Sequence, residues 1–133
     1  MTEVPTGSAD AEIVLAREML EAARVLSAAS LHRHAVGRAY YSIFHAASAL
    51  LASVGLRART HEGLRALMNE HFVRPGTISL EHARALRQTA GDRADADYDV
   101  SARFTAEDSM EDIRRAEAFL AAVEVILPGG RDR

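Results

Sequence analysis

An all-α fold, an up-and-down bundle of four to five helices, is what this sequence predicts. Three observations carry that expectation. Apolar residues recur at helical spacing through most of the chain, no stretch alternates as a strand would, and most of the three prolines and eight glycines fall where the periodicity lapses. The 133 residues suit one domain with its own core, and 48% hydrophobic with 26% charged residues is the composition of a folded globular chain.

Residues 1 to 8 read as a flexible polar tail. Ala9 to Ala28 follows as a helix, with Ile13, Leu15, Ala16, Leu20, Ala23 and Leu26 at helical spacing and Ala and Leu favouring helix intrinsically. Ser30 is the candidate N-cap of a long second helix that runs to about Val54 and is stopped by Gly55. Its apolar stripe, from Ala35 through Ala39, Tyr40, Ile43 and Ala47 to Leu51 and Val54, is broad enough to face two neighbours, which places this helix at the centre of the bundle.

Thr60 is positioned to cap a third helix through about Phe72, ended by the turn residues Arg74-Pro75-Gly76-Thr77. Ser79 opens a short fourth helix that ends near Gly91, and the acidic stretch from Asp92 to Arg103, without a steady period, reads as a loop. Thr105-Ala106-Glu107-Asp108 resembles a capping box with Asp in place of Glu or Gln; it opens a last helix to Leu127, stopped by Pro128-Gly129-Gly130. The bundle therefore occupies residues 9–127, and residues 128–133 form a second flexible tail.

Composition removes several function classes. There is no cysteine, so disulfide frameworks, thiolate zinc sites and cysteine nucleophiles are excluded. The N-terminus lacks a basic start and an apolar h-region, and no apolar run approaches the roughly 18 residues a membrane helix needs; no membrane association and a cytoplasmic location are expected. The net charge of −3 gives no overall pull toward nucleic acid. All 16 basic residues are nevertheless arginine, which binds phosphate in bidentate fashion, although GC-rich codon usage is the simpler reading of that bias.

On the second helix Arg38, Tyr41, His45 and Ser48 fall three, four and three residues apart and line one polar seam beside the apolar stripe. Guanidinium, phenol and imidazole together can hold a phosphodiester and move a proton, with His45 as acid or base and Arg38 stabilising charge on phosphate. Seven residues rise about 10 Å along a helix, and helical side chains lean toward the N-terminus, so one helix holds Arg38 and His45 apart. A two-fold dimer pairing this helix with its copy brings them together, making any active site composite. The competing reading is structural: a hydrogen-bonded histidine and an arginine paired with an acidic neighbour.

Asp92, Asp95, Asp97 and Asp99, interleaved with Arg93 and Tyr98, make the densest polar cluster. An EF-hand counted from Asp95 would need Gly and Glu where Val100 and Ala106 stand, so a solvated loop near the last helix is the better reading. His32 and His34, two apart on a helix, face differently, and no HExxH, Gly-rich phosphate loop or GxSxG pattern occurs. Neither a metal nor a cofactor is expected.

Arg38 to Leu51 (RAYYSIFHAASALL), Thr60 to Val73 (THEGLRALMNEHFV) and Arg93 to Tyr98 (RADADY), with the Ala-Phe-Leu-rich segment Ala116 to Val125, resemble one branch of the HEPN family over about Ala22 to Leu127. The resemblance implies a helical bundle that commonly forms a homodimer, often encoded beside a small nucleotidyltransferase as a toxin–antitoxin pair. Many such proteins are metal-independent ribonucleases with an Arg-x4–6-His motif at the dimer interface. Two segments fit that spacing, Arg38-x6-His45 and Arg65-x5-His71, but 16 arginines and six histidines give about two such pairs by chance. Arg38 and His45 lie within the resembling block; the family motif usually lies farther along, where this chain keeps Arg93 and Tyr98 but no following histidine.

The resemblance thus implies a cleft near Arg38, Tyr41, His45, Arg93 and Tyr98 for RNA or nucleotide phosphate: Arg38 and His45 as the catalytic pair, Tyr41, Arg93 and Tyr98 as binding residues, and a nucleotidyltransferase-type partner. The alternative is a non-catalytic interaction or substrate-binding module partnering the same enzyme class. An open cleft at Arg38 and His45 favours the first reading; burial with satisfied hydrogen bonds favours the second.

Overall fold

The computed structural model describes residues 8–128; of the tails expected at 1–8 and 128–133 all but Ser8, which is the first residue of a helix, and Pro128 lie outside the described residues. Five α-helices follow in order: α1 (Ser8–Ala28), α2 (His32–Ser53), α3 (His61–Met68), α4 (Leu80–Tyr98) and α5 (Ala106–Ile126). A π-helical turn at Asn69–Val73 continues α3, and no strand occurs among the described residues. The all-α bundle expected from the apolar periodicity is the observed fold.

Helix α2 packs against α1, α3, α4 and α5. That position follows from its sequence: Ala35, Ala39, Tyr40, Ile43, Ala46, Ala47, Leu50 and Leu51 are all buried, and the alanines let neighbouring backbones approach closely. Ile13, Ala16, Leu20 and Ala23 of α1 and Ala116, Phe119, Leu120 and Val123 of α5 close the core from either side. Each fully buried Leu, Ile or Phe contributes about 1.5–3 kcal/mol of hydrophobic stabilisation. Polar pins fix the register: Ser42 Oγ donates to Ala16 O at 2.8 Å, while Arg24 pairs with Glu117 at 2.7 Å and Arg17 with Glu124 across α1 and α5.

Three local sequence signals work as expected. Thr60 accepts from Gly63 N, Ser79 accepts from His82 N, and Thr105 with Asp108 forms a reciprocal capping box. Two expectations are corrected. Ser30 does not cap α2, whose N-cap is Leu31 without a side-chain cap bond. Ser30 instead takes φ +65° and closes α1, with Leu31 N–H on Leu26 O at 2.9 Å and Ser30 N–H on Ser27 O at 3.0 Å. That is the Schellman pattern, which usually recruits glycine and does so after α2, where Gly55 has φ +78° and Leu56 N–H meets Leu51 O at 2.8 Å.

The second correction concerns α4, which runs on past Gly91 to Tyr98, so Asp92 to Tyr98 is helix rather than loop. The helix continues there because polar contacts replace an apolar stripe. Arg93 pairs with Asp97 one turn on at 3.1 Å, Ala96 is buried, and Arg33 of α2 donates to Ala96 O at 2.6 Å and Ala102 O at 2.5 Å. A guanidinium on the free carbonyls of a helix C-terminus satisfies those acceptors and complements the helix dipole.

Candidate functional site

The extended α4 carries Arg93 to the side of α2. Its guanidinium carbon lies 5.4 Å from the Tyr40 ring centroid and 5.9 Å from that of Tyr41, within cation–π range of both. The Arg93 side chain is only 12% exposed, and its Nε–H is buried with no hydrogen-bond partner among the described residues. Buried donors of this kind are rare.

His61, the first residue of α3, completes this cluster. Its ring lies 5.5 Å from Tyr40, 6.0 Å from Tyr41 and 5.3 Å from Phe44, and its Nδ1 is 2.6 Å from the Tyr40 hydroxyl. The Thr60 cap fixes where α3 begins and so places His61; a Cβ on Gly63 would stand 2.9 Å from the capping oxygen, which is why glycine suits that position. Burial pushes the Tyr40 phenol up to about 12, so it keeps its proton. Burial, then the cationic Arg93 and Arg65, hold the His61 imidazole below its ordinary value. With phenol and imidazole both neutral, one proton is shared in this bond, and the direction of donation follows the imidazole tautomer.

The polar seam of α2 turns toward α1 instead. His45 Nδ1–H donates to Glu12 Oε1 at 2.7 Å, since a carboxylate only accepts, and the pair is partly buried. The bond orients the imidazole and leaves Nε2 as its working nitrogen. Arg38 is exposed, and its Nη1 lies 3.9 Å from the sulfur of Met19. Tyr41 bridges the two sides, its ring 6.3 Å from His45 and 5.9 Å from the Arg93 guanidinium. The structure thus brings Tyr41, His45 and Arg93 together. It leaves Arg38 alongside α1 and Tyr98, 79% exposed, at the far end of α4.

Sequence reasoning missed His61 and Glu12; it assigned Tyr40 to the core, where it lies, without foreseeing the hydroxyl contact with His61. It also missed Asp112. This α5 carboxyl is fully buried, with Oδ1 accepting from Arg115 at 2.7 Å and Oδ2 lacking an N–H or hydroxyl partner. Burial and, next, the Asp92 carboxyl of α4 push it up to about 8, so at neutral pH Asp112 holds a proton that it donates to Asp92. The Asp92–Asp112 pair forms because α4 extends past Gly91, where a loop was expected. Among the described residues no three His, Asp or Glu side chains converge as a metal site, and no helix is long and apolar enough to cross a membrane.

Residues 13–126 match the HEPN domain. A UPF0332 protein of Thermotoga maritima is 35% identical over 112 residues, spanning 84% of this chain and 85% of the relative. A protein of Methanocaldococcus jannaschii named "Putative toxin" is 36% identical over 115 residues, 86% of this chain and 85% of its own length. A second protein so named in that organism is 26% identical over 105 residues, 79% and 71% of the two chains. With the domain matched across nearly the whole bundle, this chain belongs to the HEPN family.

Proposed function

We propose that this HEPN protein is the toxin-like component of a toxin–antitoxin pair and binds RNA or nucleotide phosphate where Arg93, Tyr41 and His61 meet, beside His45. The observation that carries this reading is the Arg93 guanidinium, lying beside two tyrosine rings with a buried Nε–H left over. A cation beside the partly exposed ring of Tyr41 offers a single-stranded phosphodiester chain a charge for phosphate and a face for a base, while buried Tyr40 holds Arg93 in place. The toxin names of the two Methanocaldococcus relatives support the biological setting.

In this proposal two copies pair through the α2 seam. Exposed Arg38 of one subunit then approaches His45 of the other and clamps phosphate, while His45, oriented by Glu12, serves as acid or base without a metal. Tyr98, exposed at the end of α4, extends the binding face, and a nucleotidyltransferase-type protein is the expected partner. Purified protein should cleave RNA in EDTA and lose that activity in His45→Ala; cleavage unchanged in the variant refutes the catalytic assignment. A second reading, a non-catalytic binding module, is favoured by one observation, the His45–Glu12 bond, which satisfies the imidazole without any ligand. That reading requires RNA binding with no cleavage in either protein.

A further inference from the structure

Two histidines from different helices stand against the same pair of aromatic rings. The His45 imidazole of α2 lies 6.3 Å from the Tyr41 ring and 5.3 Å from the Phe44 ring. His61, at the start of α3, lies 6.0 Å and 5.3 Å from the same two rings. The imidazole centroids are therefore no farther apart than twice the 5.3 Å that separates each from Phe44. Tyr41, Phe44, His45 and His61 are all partly exposed, in contrast to fully buried Tyr40.

Each imidazole is anchored through Nδ1, His45 on Glu12 Oε1 at 2.7 Å and His61 on the Tyr40 hydroxyl at 2.6 Å, which leaves both Nε2 atoms for chemistry. The anchors differ in kind. Glu12 sets a carboxylate against His45, a counter-charge for an imidazolium. His61 meets a neutral phenol instead. Burial, then the charges of Arg93 and Arg65, hold His61 below its ordinary value, so its imidazole is neutral at physiological pH.

We infer that His45 and His61 of one chain form a two-histidine acid–base pair for RNA cleavage, His61 activating the 2′-hydroxyl and His45 protonating the leaving 5′-oxygen. The pair rests on the reading of this protein as an RNA-cleaving enzyme. With its own proton on Nδ1, donated to the Tyr40 oxygen, His61 takes the 2′-hydroxyl proton on Nε2. The 2′-oxygen bonds to the adjacent phosphorus, the P–O5′ bond breaks, and the 5′-oxygen receives the Nε2 proton of His45. The products are a 2′,3′-cyclic phosphate and a 5′-hydroxyl end, and proton exchange with water resets both imidazoles. Arg93 and Arg65, whose charges already reach His61, stabilise the negative charge that develops on the phosphate. An in-line displacement sets the attacking and leaving oxygens on opposite sides of phosphorus. Acid and base must then stand apart by a phosphate and two hydrogen bonds, a span that the Phe44 contacts permit.

Single-turnover cleavage of a short single-stranded RNA by saturating protein, in EDTA, tests the pair. His61→Gln, whose amide can still bond the Tyr40 hydroxyl, should lower the rate at least about a hundredfold, as should His45→Gln. Circular dichroism must show each variant folded; should His61→Gln not fold, His61→Asn takes its place. An RNA with sulfur in place of the leaving 5′-oxygen separates the roles, because a thiolate departs without a proton. On that substrate His45→Gln should regain at least about tenfold relative to the unaltered protein, and His61→Gln should regain nothing. Cleavage by His61→Gln within about threefold of the unaltered protein overturns the inference and leaves His45 as the catalyst, whereas the same result in His45→Gln overturns both. A matching gain in both variants, or none in either, also overturns the inference. No cleavage by the unaltered protein removes the catalytic reading itself, and the pair with it.

Discussion

The two sides of α2 are built on opposite terms. Toward α1 lie exposed Arg38 and partly buried His45, whose polar contacts there are Met19 for one and Glu12 for the other. Toward α3 and α4 lies Tyr40, wholly buried, tied to His61 and overlain by Arg93. The first side is legible as a helical repeat. The second exists only because three helices meet, and it has the greater consequence for stability and for the electrostatics of the site.

The largest expected effect separates the two sides by stability. Tyr40→Ala should lower unfolding free energy by about 3–5 kcal/mol through cavity formation and loss of the His61 partner. Arg38→Ala should change it by less than about 0.5 kcal/mol. Denaturant melts of both variants measure this, and similar losses would erase the asymmetry. Glu12→Gln tests the α1 side more finely: its carboxylate is partly exposed, so the loss should be about 1 kcal/mol, with RNA cleavage falling if His45 orientation matters.

The α4 side also predicts a pH dependence. Asp112 binds its proton more tightly in the fold than in the unfolded chain, so its contribution is fully present below about pH 4 and is lost as pH rises through about 8. Stability contributed by this group should therefore decline across that interval. Asp112→Asn, which keeps a donor for Asp92, should flatten the decline in melts taken from pH 5 to 8.5; an unchanged slope would mean the proton is not held there. The smallest effect is on His61: removing the Arg93 charge in Arg93→Gln should raise its titration midpoint toward the ordinary imidazole value, read from its ring proton signal.

Much of the fold was legible because it rests on local signals: the apolar stripe of α2, the caps at Thr60 and Ser79, and the Thr105–Asp108 box. The end of α4 was not, because Arg93, Ala96 and Asp97 are held by a tertiary contact with Arg33 and by an ion pair, neither of which leaves an apolar period. The start of α2 was misread because Ser30 resembles a cap in sequence yet serves as the left-handed residue that closes α1. At the site, Arg38, Tyr41 and His45 shared a helix face by spacing alone. His61 and Glu12 lie on other helices, 21 and 33 residues from their partners Tyr40 and His45, and no spacing rule reaches that far.

The proposed phosphate contact on the α4 side, at Arg93 beside Tyr41, is checked by binding of a short single-stranded RNA across a salt series. Arg93→Gln, verified as folded by circular dichroism, should weaken binding at least about tenfold and reduce the slope of log affinity against log salt by about one. Affinity and salt slope identical to those of the unaltered protein would contradict it.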